Sequence, residues 1–529
     1  MKNTDVKLKS SFLYGLPFYI LMSFLIYGCG EPASDSNDTT NENAEPQVET
    51  EVVTPKADLQ NVENDVLPFT LEFEEQSYSG KLPLPHIQSY VSTVSKDGYI
   101  LAIGGRRQGL HTFEPAPVDN FIADSSNNYI YVIDPKSGDF WSFDVNQLST
   151  DFSAPLQSAN QQSYHDRSSD QMYVAGGYGW KADKSDMLTF NTIIGFQVEA
   201  LVTAVKSGSS VSDIAALLTV AQDDRFAITG GELFILNSTF YLVFGQNFTG
   251  QYRAFGGTDF QQVYPEEIRI FTLNPNTLEI LTYGANTSTD TDSPFHRRDG
   301  NIIEGIDPAS GKARISAFGG VFPPGIIGAY TYPIYINSPA APTIDRSVNQ
   351  KFSQYECPII SVFDSDSSNP TIYHTFFGGI GHYYYFQTES QHAIYDTATL
   401  QGRNDGLPFL ADITTFLQTA DGSYKEYIHT SPIPGNRLLG TSIRFMVNPD
   451  IISDGTAYEN GVVKLTSVSD GSRVLVGYIY GGIEAVNPLP EIPNTGTSVS
   501  NSLFAVYLTT TPSDAMPASE GHNSGENNE

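Results

Sequence analysis

Arginine is scarce in this chain, 14 of 529 residues, and seven of the fourteen fall in short segments flanking a recurring glycine-terminated hairpin. Arg106 and Arg107 with His111 follow Ile103-Gly104-Gly105, Trp180 follows Ala175-Gly176-Gly177, and Tyr252 with Arg253 follow Phe244-Gly245. His382, Tyr383, Tyr384 and Tyr385, then Arg403, follow Phe377-Gly378-Gly379. Other hairpins are preceded by His296-Arg297-Arg298-Asp299, Tyr355-Glu356 and Arg437. Guanidinium pairs bidentately with carboxylate or sulfate, and aromatic faces attract cations and stack on flat partners. If these segments share one rim, then Arg106, Arg107, Trp180, Arg253, His296, Arg297, Arg298, Tyr355, Glu356, His382, Tyr383, Tyr384, Tyr385 and Arg403 form a face for a glycan, peptide or protein ligand. The competing reading is that arginines in irregular loops brace backbone carbonyls.

Two further groupings could do chemistry. Asp299 and Glu356, beside arginines that could orient a ligand, have the character of proton carriers. Asp364-Ser365-Asp366-Ser367-Ser368-Asn369 and Asp290-Thr291-Asp292 offer oxygen at spacings a calcium ion could use, but neither is a full loop signature and both read as Asx turns. The chain has two cysteines, Cys29 and Cys357, too few for a cysteine–zinc cluster. No phosphate-binding loop, dinucleotide fingerprint or zinc-protease motif is present, so no metal or cofactor is called for.

The elements that must position these residues repeat. Six hydrophobic-glycine runs recur, at Gly104, Gly176, Gly245, Gly319, Gly378 and Gly481, each after a polar turn such as Ser95-Lys96-Asp97-Gly98 or Ser469-Asp470-Gly471-Ser472. Two more strands follow most hairpins, as Tyr129–Asp134 with Phe140–Phe143. Four antiparallel strands per unit make a propeller blade, so the expected fold is an all-β propeller of six blades over residues 66–511. Seven blades is the alternative, because the last glycine interval is long. Leu67–Phe73 is expected to complete the last blade beside Leu503–Leu508, which removes open sheet edges. Helical spacing at Val198, Leu201, Val202 and Val205, and a second run from Asp213 capped by Ser212, predict a small helical insertion in the second blade.

Hydrophobic-Gly-Gly after a second strand, then an aromatic third strand and a Trp-bearing fourth, resembles the kelch repeat of galactose-oxidase-like propellers. The first unit, with Trp141, matches well; later units depart, since Trp141 and Trp180 are the only tryptophans. The copper enzymes of that group use a cysteine-linked tyrosine, a second tyrosine and two histidines, for which Cys357, Tyr383 to Tyr385, His382 and His296 supply the residue types. Cys357, in Glu356-Cys357-Pro358-Ile359, reads instead as a small buried hydrophobe. A second resemblance, to the kelch-type epimerases of sialic acid, implies acid and base residues at the channel mouth, with Glu356 and Asp299 as the matching carboxylates.

The ends give an address. Lys2, Lys7 and Lys9 precede an apolar stretch from Phe12 to Tyr27, the pattern of a secretory signal over residues 1–28. Ile26-Tyr27-Gly28-Cys29 resembles the lipobox of bacterial lipoproteins, which implies cleavage before Cys29, its acylation, and a place in the bacterial cell envelope at the outer membrane. Residues 29–65 carry ten acids against Lys56 alone and read as a disordered tether; residues 512–529 read as a disordered polar tail. A formal charge of −32 repels nucleic acid and anionic membrane, so the folded part is not expected to bind either. Oligomeric state is left open by the sequence.

Overall fold

A computed structural model describes residues 60–62, 67–112, 114–253, 259–324, 328–388, 391–396, 407–488 and 496–511. Cys29, the signal-like segment, Arg403 and the C-terminal tail lie outside the described residues. The chain is mostly β, in many small antiparallel sheets. The hairpins explain why. Val91–Val94 and Ile100–Ile103 are almost wholly buried and pair with Val91 opposite Ile103, across a turn where Gly98 takes φ +87°. Runs this apolar form strands that must be covered on both faces.

Six sheets share one plan, a four-strand antiparallel meander. The first comprises Val91–Val94, Ile100–Ile103, Tyr129–Ile133 and Phe140–Asp144; the second Gln162–Asp166, Gln171–Ala175, Thr192–Gln197 and Thr219–Gln222; the third Glu232–Leu236, Thr239–Val243, Glu267–Leu273 and Ile280–Thr287. The fourth holds Asn301–Ile306, Ala313–Phe318, Ile334–Ile336 and Thr343–Ile344, and the fifth Ile359–Asp364, Thr371–Phe377, Ile413–Thr419 and Tyr424–His429. The sixth joins Phe445–Val447, Arg473–Tyr480 and Leu503–Thr510 to Phe69–Glu75 from the other end of the chain. Phe73 lies opposite Val506, so the expected pairing of the two ends is present. One internal chamber is lined from the first strand of every one of these sheets, by Thr93, His165, Phe234, Glu304, Ser361 and Met446. The six first strands therefore surround a common channel.

Several expectations are corrected. The turn Ser469–Ser472 does not follow the sixth sheet's first strand, which is Phe445–Val447; the helix Pro449–Ser453 and the short strand Val463–Lys464 intervene, the latter pairing with Ile359–Asp364 of the fifth sheet. That insertion, with the hairpin Tyr383–Thr388 and Gln391–Asp396, accounts for the long last glycine interval. A further four-stranded sheet, of Tyr178–Trp180, Met187–Thr189, Asn247–Gly250 and Phe260–Val263, is assembled from excursions of the second and third sheets. The helical insertion is present as Val198–Ser207 and Val211–Ala216, but Ser210 rather than Ser212 caps the second helix, accepting from Asp213 N at 3.3 Å. Within the tether assigned to residues 29–65, Gln60–Val62 is a strand that pairs in parallel with Tyr424–His429, because that outer strand leaves an edge of unpaired backbone groups.

Candidate functional site

Just ahead of each first strand stands one residue in the left-handed conformation: Ser89 (φ 52°), Asn160 (50°), Gly230 (68°), Asp299 (54°), Glu356 (56°) and Ser442 (62°). Gly, Asn and Asp tolerate this region, whereas it is strained for Glu356. Five of the six links between them are head-to-tail backbone hydrogen bonds, the exception being that from Asp299 to Glu356. Asn160 N donates to Ser89 O at 3.0 Å, Gly230 N to Asn160 O at 3.3 Å, Asp299 N to Gly230 O at 2.7 Å, Ser442 N to Glu356 O at 2.7 Å and Ser89 N to Ser442 O at 2.8 Å.

The glycine runs exist to serve this ring. The residue before each ring position pairs with the residue after each glycine run: Gln88 with Arg106, Ala159 with Tyr178, Thr229 with Gln246, Arg298 with Val321, Tyr355 with Ile380 and Thr441 with Ile483. At Gly378, with φ +59°, a Cβ would collide with the Leu439 carbonyl and crowd Ile433. The backbone comes too close there for any side chain.

The ring divides the channel. On the side of the loops after the glycines, here the upper side, lies a chamber of about 170 Å³; below the ring lies one of about 230 Å³. Ser89, Asn160, Glu356 and Ser442 line both.

Two buried guanidiniums line the upper chamber. Arg106, 3% exposed, lies over the Phe121 ring at 4.5 Å and donates Nη2 to Gln108 Oε1 (3.0 Å) and Ile122 O (3.3 Å). Its Nε has no acceptor, and no carboxylate pairs with it among the described residues. Burial lowers its pKa to about 10, so it stays charged at neutral pH. Arg298 donates Nε to Asp299 Oδ2 (3.0 Å) and Nη1 to Gln246 Oε1 (3.3 Å) and the Tyr264 hydroxyl, with Phe322 beneath its guanidinium at 4.9 Å. Between them, burial and then the two positive charges push His111 down to about 4, leaving it neutral.

The floor of that chamber is acidic. Asp299 and Glu356, neighbours in the ring, both line it and both are buried. Burial raises both, and the neighbouring Asp299 charge adds to it, so that Glu356 is brought to about 7. Below the ring, Arg444 of the sixth sheet reaches across to Glu232 of the third, with Nε to Oε1 at 2.8 Å. Further down, Tyr164 donates to Glu304 at 3.2 Å, and burial pushes that carboxyl to about 8.

Of the residues singled out by sequence, Arg106, Arg298, Tyr355 and Glu356 meet at the upper chamber. Others do not. Arg297 is a brace: fully buried, it donates to Pro294 O (2.9 Å), Gly319 O (3.1 Å) and Tyr332 O (3.0 Å). Arg253 is another, held by Asp259 at 2.6 Å and by the Glu114 and Val118 carbonyls. Arg107 is exposed and donates to Asp124 O at 2.7 Å; Trp180 is buried with Nε1 on Phe121 O at 3.1 Å. His296 stacks on Tyr264 at 3.7 Å and bonds Glu266 at 2.7 Å, away from the chamber lining. His382 accepts from Ala329 N at 3.3 Å; Tyr383, Tyr384 and Tyr385 belong to the strand Tyr383–Thr388. Cys357 is buried with the Asn301 amide on its sulfur at 3.2 Å, and burial pushes its thiol to about 12. Sequence reasoning did not single out Arg444, Glu232, Glu304 or the ring. The available signal was a turn-type residue two or three positions before five of the six first strands, Glu356 being the exception.

No family model matches the chain, and no curated protein matches it. Among solved structures it is similar to that of YjhT, at 11% identity and a TM-score of 0.40, over 79% of this chain and 99% of that one. That likeness is too loose to assign a function.

Proposed function

We propose that this chain is an exported lipoprotein, anchored through an acylated Cys29, whose six meanders are the blades of a kelch-like β-propeller and whose upper chamber binds a small anionic ligand. The ligand class is a carboxylate-bearing sugar, alone or at the end of a glycan. One observation carries this reading: two buried arginines line one chamber, and Arg106 has no carboxylate partner among the described residues and an Nε without an acceptor. A buried unpaired charge is costly unless a ligand completes it. Phe121, Tyr178, Tyr252 and Phe322 line the same chamber and give it an aromatic wall for the apolar parts of a sugar.

Calorimetric titration with glucuronate, galacturonate and N-acetylneuraminate, against glucose and galactose, tests it. The acidic sugars bind and the neutral ones do not, and Arg106→Met weakens binding about tenfold, near 1.4 kcal/mol. Equal binding of neutral sugars, or none of any sugar, overturns it. The anchor is tested separately: Cys29→Ser loses acyl label and leaves the membrane fraction, since each buried methylene of an acyl chain contributes about 0.8 kcal/mol.

The two buried carboxyls at the chamber floor, Asp299 and Glu356, favour a second reading, an enzyme of the epimerase or mutarotase kind acting on that sugar. Under it, Glu356→Gln abolishes anomer interconversion, followed by NMR, while affinity is retained.

A further inference from the structure

The acid pair faces two ways. Glu356 lines both chambers, whereas Asp299 and Arg298 line only the upper one. Glu356 is met by Asp299 on one side of it in the ring, by the Ser442 hydroxyl on the other, and by Arg444 and Glu232 from below; Cys357 follows it in the chain and Arg298 stands behind Asp299. The two linings that Glu356 reaches differ in composition and in how far their guanidiniums are exposed. Upward it passes Phe121, Phe248, Val321, Phe322, Ile380 and Ile483. Downward it passes Ser92, Thr93, Ser163, Tyr164, Glu304 and Asn460. A held water needs two to four polar partners, roughly, and the upper lining also offers these in Arg106, His111, Gln246 and Arg298, but both of its guanidiniums are buried. Arg444, directly beneath the ring, keeps 40% of its side-chain surface accessible while paired to Glu232.

We propose that the lower chamber is the proton entrance of the site, and that Glu356 exchanges its proton with water below the ring while the upper chamber is left to a ligand. In the outward step the Glu356 O–H bond breaks and its proton passes to a chamber water. The resulting hydronium charge is relayed past Arg444–Glu232 toward Glu304 and Tyr164, whose buried carboxyl and hydroxyl are both able to donate and accept. The reverse step recharges the carboxyl, and no electron moves. A ligand that covers Arg298 and Asp299 from above then leaves the pair in contact with bulk protons. Neither the ring nor this route depends on which anion binds.

The test needs no ligand. In the full chain at pH 6, the infrared carbonyl band of a protonated carboxyl is assigned to the pair by its loss in Glu356→Gln. Rapid mixing into deuterated buffer then times the band's movement on isotope exchange. Ser163→Phe and Ser92→Phe, each placing a ring in the lower chamber, slow that exchange about tenfold or more. Ile483→Phe, which fills the upper chamber, leaves it within about twofold. Thermal melts select the variants that fold, and either lower variant suffices. Slowing by Ile483→Phe without slowing by the lower variants overturns the proposal, as does the absence of any band removed by Glu356→Gln.

Discussion

Above and below the ring, one channel is lined by the same six sheets, yet its two halves have different chemistry. The upper half is furnished by loops, which bring aromatic rings and two arginines to one chamber. The lower half is furnished by strand residues, which bring hydroxyls, carboxyls and the Arg444–Glu232 pair. Loops tolerate change without disturbing strand register, so the side they furnish is where a specific ligand site is expected. Strand positions repeat, and what they carry is constrained by the channel. The ring between the halves is joined by five head-to-tail backbone hydrogen bonds, and at the sixth link, where none runs from Glu356 to Asp299, the two carboxyls stand.

The frame common to both halves should break most severely. Gly378→Val is expected to cost more than about 3 kcal/mol, through a left-handed backbone and overpacking against the Leu439 carbonyl, or to leave no soluble protein. Gly471→Ala, at a hairpin turn with open space around it, should cost about 1 kcal/mol. Urea unfolding compares them, and equal midpoints would remove the ring's dependence on glycine.

Neighbouring arginines sharpen the comparison next. Arg297→Gln strips donors from three buried carbonyls, at about 3 kcal/mol in total, and should leave ligand affinity unchanged. Arg298→Gln should do the reverse, losing the ligand with a smaller fall in stability. A wild-type melting curve for Arg297→Gln would show that it is no brace.

Three buried carboxyls should titrate, Glu356 at the ring, Glu304 in the lower chamber and Glu426 outside both. Glu356 rises from its ordinary 4.5 to about 7, Glu304 to about 8 and Glu426 to about 7, all by burial. The folded state then holds protons that the unfolded chain has released, so stability is greatest below about pH 4.5 for these groups. It falls as pH rises through about 7 to 8, by about 1.4 kcal/mol for each tenfold by which folding tightens the hold on a proton. Thermal melts across that range, with Glu356→Gln flattening the slope, check it. The smallest effect belongs to Arg107→Ala, whose exposed side chain should be worth under about 0.5 kcal/mol and nothing in binding.

Much of the architecture was legible because it rests on short-range pattern. Alternating apolar strands, tight turns and glycine pairs announce a repeat, and Leu67–Phe73 could be matched to Leu503–Leu508 because a closed fold needs an edge covered. The ring was not legible. Its members are Ser, Asn, Gly, Asp, Glu and Ser, scattered over more than 350 positions, and they share a backbone conformation rather than a side chain. The arginines were half legible for a related reason. Arg297 and Arg298 differ by one position, which sends one side chain into the wall and the other into the channel, and residue type carries no record of that. The sixth hairpin was misplaced because Ser469–Ser472 has turn chemistry, while its partner strand lies before an insertion of helix and loop.

The central claim is that the ring separates an anion-binding chamber from a proton-conducting one. Crystals soaked in bromide test it most directly, since anomalous scattering locates the ion without reference to any sugar. The account predicts bromide in the upper chamber between Arg106 and Arg298, and its loss there in Arg106→Met. Bromide at Arg444 or Arg167 in the lower chamber, with the upper chamber empty, would contradict it.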